Sequence, residues 1–340
     1  MTEWWAFKPV TTAFEKTKKL LLSPFNAWTW IKLIVIVFFV GGASKVGSNF
    51  SNFYNYGGNP ASGIHSWDIA NFLTNRSLIM LILFIILLVL VIMLILAYLR
   101  NVFSFALIKS VTTGDVHVIK PALENLGRGL RLFVFTLLVG LFTLLVAVVL
   151  VVAMIACILI AIKVGVASAG AVLLVLLLAL IIVLLLLLLI AFCIAMGVFM
   201  GFTYDFVAPM MYFKGKGVIA SWKELYALVK KEWQQFGIYI ITRWALEFAL
   251  GIIMAIITVP ILLVYIALLI IGLIAALALM KTSILLAVII GICILIGTIL
   301  FLALVLIIEM PVGVYLRYFS LDVLKIADPA AVAYTGKMGT

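Results

Sequence analysis

Long apolar runs without a charged residue are the feature that most constrains how this chain folds. Residues 77–99, 132–162 and 164–204 contain no Asp, Glu, Lys or Arg. A helix needs about 20 mostly apolar residues to cross about 30 Å of hydrocarbon. Of the 340 residues, 68% are hydrophobic and 10% are charged, an excess that a water-soluble core of this length does not bury. The sequence therefore predicts an integral membrane protein.

The apolar runs predict an all-α, polytopic fold with six transmembrane helices. The predicted spans are residues 28–47, 77–99, 132–162, a part of 164–204, 236–280 and 282–318. The first is the weakest because Lys32 and Lys45 lie near its ends, where long side chains reach the membrane surface. The last four runs exceed a perpendicular span, so they tilt, kink or project beyond the bilayer. Pro260 is the candidate kink in the fifth.

Basic residues predict the orientation. Of the 23 Lys and Arg, those on the side opposite the termini are Lys45, Arg76, Lys163 and Lys281. Because cytoplasmic loops carry the excess of Lys and Arg, both termini are predicted to be cytoplasmic in a multi-pass cell-membrane protein. The net charge is +11, and the basic residues flank apolar runs. We therefore expect anionic lipid headgroups as partners, with a homo-oligomer or protein partner open and no nucleic acid.

An internal repeat divides the chain into three units. The segment VIKPALENL begins at Val118 and VIASWKELY begins at Val218, which aligns Glu124 with Glu224. Each segment precedes a pair of spans, as AFKPVTTAFEKTKKLLL does near the N-terminus. We predict a single membrane domain, residues 1–340, with units of about 1–110, 111–213 and 214–325 and a tail of 326–340. Each unit is an amphipathic helix followed by a transmembrane hairpin.

Apolar residues at helical spacing predict that the segments before the hairpins lie at the cytoplasmic membrane surface. In the third unit the stripe consists of Val218, Trp222, Leu225, Tyr226, Val229, Trp233 and Phe236. Similar stripes occupy residues 119–133 and 7–21. Such a helix lies in the interface with its apolar face toward lipid. It either orients the next hairpin or senses and bends the bilayer, and the sequence leaves both readings open.

The largest predicted external feature is the loop at residues 48–76. It carries two glycosylation sequons, at Asn49 and Asn75. The sequence leaves open whether these are modified or whether the loop is only a polar cap over the helix ends.

Enzyme motifs are missing from the sequence, so we predict no enzymatic activity, no cofactor and no metal site. The two histidines, His65 and His117, fall on opposite predicted sides of the membrane. HExxH, GxSxG, Walker A and GxGxxG patterns do not occur. Cys157, Cys193 and Cys293 stand singly in apolar runs and are expected to be buried apolar side chains.

Arg243 and Glu247 are the first pair of candidate polar site residues. They lie in the fifth predicted span, one helical turn apart, so their side chains can pair. Charges at membrane depth are costly and are usually paired or functional. The pair is either a structural ion pair near the inner interface or part of an ion or proton relay, and an open cleft beside it would favour transport.

Acidic residues next to prolines complete the candidate polar site. Asp205 precedes Pro209 at the end of the fourth span, and Glu309 precedes Pro311 in the sixth. Proline ends or kinks a span and frees carbonyl groups, so these positions are either structural junctions or a ligand site. Arg317 and Arg100 are the expected partners of the two acids across the hairpins.

One segment carries a family resemblance. Residues 206–239, FVAPMMYFKGKGVIASWKELYALVKKEWQQFGIY, contain a proline at a span end, a turn with Gly215 and Gly217, and a helix bearing Trp222. The segment resembles prokaryotic six-span membrane proteins of unknown function, which look related to the membrane domain attached to some glycerophosphodiester phosphodiesterases. The resemblance implies the hairpin architecture; no phosphodiesterase domain is expected here, so that activity does not carry over.

These features predict a membrane-embedded scaffold or accessory protein that acts through lipids or partner proteins. The alternative is an ion or small-solute transporter or channel that uses Arg243, Glu247 and Glu309, although pores usually have more polar lining. Glycines at 41–42, 197–201 and 291–297 are expected to allow close approach of helices.

Overall fold

The computed structural model describes residues 4–42, 76–164, 169–280 and 283–335, and these ranges are predominantly α-helical. In chain order the helices are α1 Lys8–Leu22, α2 Ala27–Val37, α3 Arg76–Thr113, α4 Ile119–Glu124, α5 Leu126–Val164, α6 Ala169–Phe202, α7 Ala208–Lys214, α8 Val218–Lys231, α9 Trp233–Met280 and α10 Ile284–Ala327. A π-helical turn, Phe38–Gly42, follows α2, and another, Thr203–Val207, joins α6 to α7. The predicted all-α fold is confirmed.

Five helical segments are long and apolar enough to cross a membrane. They are Ile79–Thr113, Leu126–Val164, Ala169–Lys214, Trp233–Met280 and Ile284–Ala327. The most apolar window of each is 0% buried, except for 6% in Ala169–Lys214. Helices that expose Leu, Ile and Val all round are unsuited to water. The architecture is that of a multi-pass membrane protein.

Local signals set several helix ends. The Asn26 side chain accepts a hydrogen bond from the Trp28 backbone N–H at 2.9 Å and caps the beginning of α2. Gly215, with φ of 66°, ends α7 in the left-handed conformation that glycine adopts without a Cβ clash. By contrast, α9 continues through Pro260 and α10 continues through Pro311. Of the two predicted effects of proline, an end or a kink, an end does not occur at Pro311.

The buried core lies at one end of the helices, and we call this part the base. It consists of α1, α4, α7 and α8, the ends of α3, α6 and α10, and the beginning of α9. Residues 101–112, 203–211 and 314–324 are almost entirely buried. Aromatic rings fill its centre, where Tyr239 lies 4.7 Å from Phe206 and stacks on Phe319 at 5.5 Å between centroids. The base therefore holds the ends of α3, α6 and α10 together.

Beyond the base the long helices form two hairpins. Helix α5 packs on α6, and α9 packs on α10. In the second hairpin the hydroxyls of Tyr265 and Thr298 lie 2.7 Å apart, and the Tyr265 ring stacks on Phe301 at 4.3 Å. Helix α2 packs against α3 and α10. Residues 43–75 lie outside the described ranges, and with them the end of the first predicted span and the sequons at Asn49 and Asn75.

Ion pairs tie α4 and α8 to the ends of the long segments that precede them in the chain. Lys109 at the end of α3 donates to Glu124 of α4 at 2.6 Å. Lys214 at the end of α7 pairs with Glu224 of α8 at 2.5 Å. Both aligned glutamates therefore bind a lysine from the end of the preceding long segment.

Helix α1 is held in the same manner, but by the last long helix. Lys16 of α1 pairs with Asp322 of α10 at 2.5 Å, and Thr12 donates to the other oxygen of that carboxylate at 3.1 Å. The Tyr334 hydroxyl also donates to Asp322, at 2.5 Å. The first and last helices of the chain thus close the base.

The apolar stripe of α8 faces the protein rather than the outside. Leu225 is buried, and the Trp222 ring stacks on Phe199 of α6 at 4.3 Å. Tyr226 and Trp233 are the exposed members of this stripe. The spacing identified the helix, but the prediction that this apolar face lies toward lipid is wrong for Leu225 and Trp222, which pack inside the protein.

The exposure of the cysteine side chains differs from the sequence prediction. Cys157 is half-buried, whereas Cys193 and Cys293 are exposed on the apolar surfaces of α6 and α10. All of them are free thiols. The expectation of burial in a protein core is wrong for Cys193 and Cys293, because the long helices turn most side chains outward.

Candidate functional site

Asp205 lies at the centre of a polar cluster where α6 enters the base. The π-helical turn Thr203–Val207 places it, and the residue is only 8% exposed. The Tyr239 hydroxyl donates to Asp205 Oδ2 at 2.8 Å, and Arg243 Nη1 lies 3.4 Å from the same oxygen. Single π-turns inside α-helices are frequent at functional sites.

Helix α9 supplies the facing side chains at a spacing of four residues. Tyr239, Arg243 and Glu247 therefore lie on one face of the helix. Arg243 Nε donates to Glu247 Oε1 at 2.8 Å, which confirms the predicted pairing. Arg243 Nη1 also donates to the Leu316 carbonyl of α10 at 3.1 Å. One guanidinium thus links α9, α10 and the turn after α6.

Arg317 lies behind this cluster and is buried. Its Nη1 donates to the Tyr204 carbonyl at 2.7 Å, and its Nη2 donates to Ser104 Oγ at 2.8 Å. Within the described residues no hydrogen bond or ion pair joins Arg317 to Asp205. The expected pairing is replaced by bonds to carbonyl and hydroxyl oxygens, because the π-turn directs the Tyr204 carbonyl toward α10.

The contacts of Arg100 and the position of Glu309 differ from the sequence prediction as well. The Arg100 guanidinium lies 4.7 Å from the centre of the Tyr204 ring, a cation–π contact, and among the described residues no ion pair joins it to an acid. Glu309 is half-buried on α10, two helical turns before Arg317. It is not among the described residues that line the groove beside Asp205. The structure therefore brings Asp205, Arg243, Glu247 and Arg317 together, and Glu309 does not line the groove beside them.

A groove of about 210 Å³ opens between α6 and α9 beside this cluster. It is lined by Gly197, Val198, Gly201, Phe202, Asp205, Tyr239, Ile240, Arg243, Trp244 and Glu247. A Cβ at Gly197 or Gly201 would meet nothing within 4 Å. These glycines therefore line open space and do not bring two helices into contact, contrary to the sequence expectation.

A larger, apolar groove of about 520 Å³ lies between α9 and α10. Tyr265, Gly272, Cys293, Gly297 and Phe301 are among its lining residues. Its walls offer packing surface to a hydrocarbon chain but almost no polar group.

Sequence reasoning missed Tyr239 and Trp244. Tyr239 lies four residues before Arg243, so the helical period that paired Arg243 with Glu247 also pointed to it. Trp244 is half exposed at the rim of the groove, and an aromatic residue next to a charged pair was the available signal.

In the described ranges no three His, Cys, Asp or Glu side chains lie close enough to hold a metal ion. The groove offers carboxylate oxygens and aromatic faces, which accept hydrogen bonds and attract cations.

Comparison with known proteins gives a family without an activity. The model of the family described as Family of unknown function (DUF7544) matches residues 4–332. No curated protein matches the chain, and no solved structure does. The match agrees with the expected family of unknown function and gives no link to glycerophosphodiester phosphodiesterases.

Proposed function

We propose that this chain, which belongs to the family of unknown function (DUF7544), is a membrane-embedded scaffold or accessory protein that acts through lipids or partner proteins. The observation that carries the proposal is the separation of polar and apolar side chains. In the described residues the ion pairs gather in the base and at its junction with the hairpins. The long segments beyond it expose apolar side chains, which suits contact with lipid or another membrane helix.

The proposal includes six spans, with α2 beginning the first and both termini in the cytoplasm. Helix α2, with its π-turn, is apolar and packs on two long helices, which supports a sixth span. The basic residues of α1 and α8 lie in the base, on the side that the positive-inside rule assigns to the cytoplasm.

Three repeated units are also part of the proposal. The ends of α3, α7 and α10 each pair with a short helix of the base, through Lys109, Lys214 and Asp322. A lysine–acid pair between a helix end and a short helix occurs in each of these three places, with the two charges exchanged at Asp322, and this supports a common plan. Helix α1 takes its partner from α10, so the three units form a closed ring.

The outer faces of the short helices are the proposed contact with anionic lipid. Each face combines exposed apolar and basic side chains: Phe7, Phe14 and Lys18; Ile119, Leu123 and Lys120; and Ile219, Tyr226, Lys223 and Lys230. Apolar side chains enter the headgroup region, and each nearby lysine contributes about 1 kcal/mol on an anionic membrane.

Anionic lipid recruitment tests the proposal directly. The protein is reconstituted into vesicles containing a fluorescent anionic lipid, and energy transfer from its tryptophans reports the local lipid. We expect enrichment of the anionic lipid around the protein. Replacement of Lys18, Lys120, Lys223 and Lys230 by Gln should lower this enrichment about tenfold or more, because four surface charges are lost.

The matched control replaces the same four lysines by Arg and keeps the charge. The control variant should retain the enrichment. Equal enrichment in the Gln and Arg variants would contradict the lipid-contact part of the proposal. The same vesicles, loaded for flux measurements, should show no ion or solute flux.

A transporter is the second candidate, favoured by the groove that reaches Arg243 and Glu247. It ranks second because the described parts of the long helices offer few polar groups to continue a path beyond this groove. Flux in the loaded vesicles that falls with Glu247→Gln would place transport first.

A further inference from the structure

The groove between α6 and α9 has open space beside the glycines of its α6 wall. Gly197 and Gly201 form its α6 wall, and a Cβ on either would enter empty space. The opposite wall is the face of α9 that carries Tyr239, Arg243 and Glu247. The volume of about 210 Å³ suits a small polar headgroup.

Asp205 leaves one carboxylate oxygen without a partner in this groove. The residue is 8% exposed and lines the groove. The hydrogen bond from Tyr239 and the ion pair with Arg243 both end on Oδ2. Among the described residues no donor reaches Oδ1. This oxygen is open to the groove rather than enclosed by protein, so a ligand that brings an N–H group can donate a charge-assisted hydrogen bond to it.

Glu247 supplies a second acceptor at the rim. Its side chain is 47% exposed, and Oε1 accepts from Arg243. The charged groups that line the groove are two carboxylates and the single guanidinium of Arg243. The Arg317 guanidinium lies behind the groove and donates to Tyr204 and Ser104, while Arg100 lies over the Tyr204 ring. The groove wall itself therefore carries a surplus of negative charge.

Aromatic side chains frame the same space. Trp244 is 50% exposed and lines the groove together with Phe202. An ammonium group near the face of an indole or phenyl ring gains a cation–π attraction, which is larger when water is excluded.

From these contacts we propose that the groove binds an ammonium group that carries N–H donors. The ligand is either the primary-amine headgroup of a membrane lipid or a free primary amine of similar size. The amine donates to Asp205 Oδ1 and to the Glu247 carboxylate and lies against Trp244. This site is separate from the basic outer faces of the short helices, and it stands or fails independently of the scaffold proposal.

The test compares two lipids whose headgroup nitrogen carries either three hydrogens or three methyl groups. The whole protein is placed in nanodiscs containing equal amounts of an ethanolamine-headgroup lipid and a choline-headgroup lipid with the same acyl chains. Native mass spectrometry of the released protein then counts each lipid that stays bound. We expect preferential retention of the ethanolamine lipid, because the quaternary choline nitrogen has no N–H to donate.

Two variants locate the binding in the groove. Gly201→Leu fills open space, so the fold is expected to survive while retention of the ethanolamine lipid falls about tenfold or more. Asp205→Asn removes the acceptor charge and should lower retention to a similar extent, since hydrogen bonds to charged groups are the strong ones. Glu15→Gln, an exposed acid on α1, is the control and should retain the lipid.

Free ethanolamine separates the two sources of the amine. Selective retention of the ethanolamine lipid would assign the groove to the lipid headgroup, whereas binding of free ethanolamine by the wild type with no retained lipid would assign it to free amines. Equal retention of both lipids without amine binding would overturn the proposal. Unchanged retention of the ethanolamine lipid in the Gly201→Leu variant would overturn the proposal as well, even if the Asp205→Asn variant did not fold. Neither variant should alter enrichment of anionic lipid, so the two proposals fail separately.

Discussion

At the residue scale, the polar groups of this protein act as ties between helix ends. Lys214 pairs with both Glu224 and Asp328, and Lys216 donates to the second oxygen of Glu224 at 2.7 Å. Hydrogen bonds from Lys214 and Lys216 lower the pKa of Glu224 below its ordinary value of 4.5. Because the ionised form is favoured in the folded state, the stabilisation is fully present above 4.5. It is lost as pH falls through the lowered folded-state value.

Substitution of Glu224 tests this tie. Because part of the pair is exposed, we expect Glu224→Gln to lower the thermal unfolding temperature by about 1 to 3 °C at neutral pH. The difference between wild type and variant should shrink as pH falls below 4.5. Thermal unfolding in detergent across this pH range is the measurement. Glu15→Gln is the control, and a difference that persists in acid would contradict the assignment.

Part of the candidate site was predictable from single residues. Arg243 and Glu247 were paired from their spacing alone, because four residues make about one helical turn. The contact of Asp205 with Tyr239 was not predictable from the sequence. It joins two helices through a π-turn, and a π-turn leaves no periodic signal in the sequence. Glu309 and Asp205 have similar sequence surroundings, but only Asp205 lies beside the groove.

At the element scale, apolar runs predicted which helices exist but not where they end. The second predicted span stops at residue 99, whereas α3 continues to Thr113. Its last turns carry Ser110 and Thr112, whose hydroxyls donate to carbonyls of the preceding turn at 2.9 and 2.8 Å. These hydroxyls form their hydrogen bonds within the helix, so the helix can be buried despite its polar side chains. The hydropathy pattern therefore gives no sign that the helix continues past residue 99.

Close packing of α3 against α5 gives a prediction for this pair of elements. A Cβ at Gly129 would lie 2.5 Å from Val102 Cγ2 and 3.0 Å from Val102 Cα. Gly129→Ala should therefore destabilise the fold by about 1 to 3 kcal/mol, the usual cost of overpacking. Thermal unfolding in detergent measures the loss.

Gly127 provides the matched control for that substitution. It lies in the same helix, and a Cβ there would meet nothing within 4 Å. Gly127→Ala should leave the unfolding temperature unchanged or raise it slightly, because alanine favours helix. Equal losses in the two variants would mean that α3 and α5 do not pack as described.

At the scale of the whole molecule, a base with a buried core carries long helices that face lipid. The base is rich in side-chain contacts, while the hairpin α5–α6 is joined mainly by apolar packing. Composition and charge predicted this class of protein. The packing of α1 on α10 needed the structure, because the ion pair of Lys16 with Asp322 joins residues 306 positions apart in the sequence.

The central claim is that the base lies on one side of the membrane and that the hairpins cross to the other. The measurement is labelling of single cysteines with a membrane-impermeant thiol reagent, in cells and in inverted vesicles. Cys157, Cys193 and Cys293 are first changed to Ala, and one cysteine is then introduced by Lys18→Cys, Lys163→Cys or Lys223→Cys. The account predicts that positions 18 and 223 react only from the cytoplasmic side and position 163 only from outside. Reaction of positions 163 and 223 from the same side would contradict it.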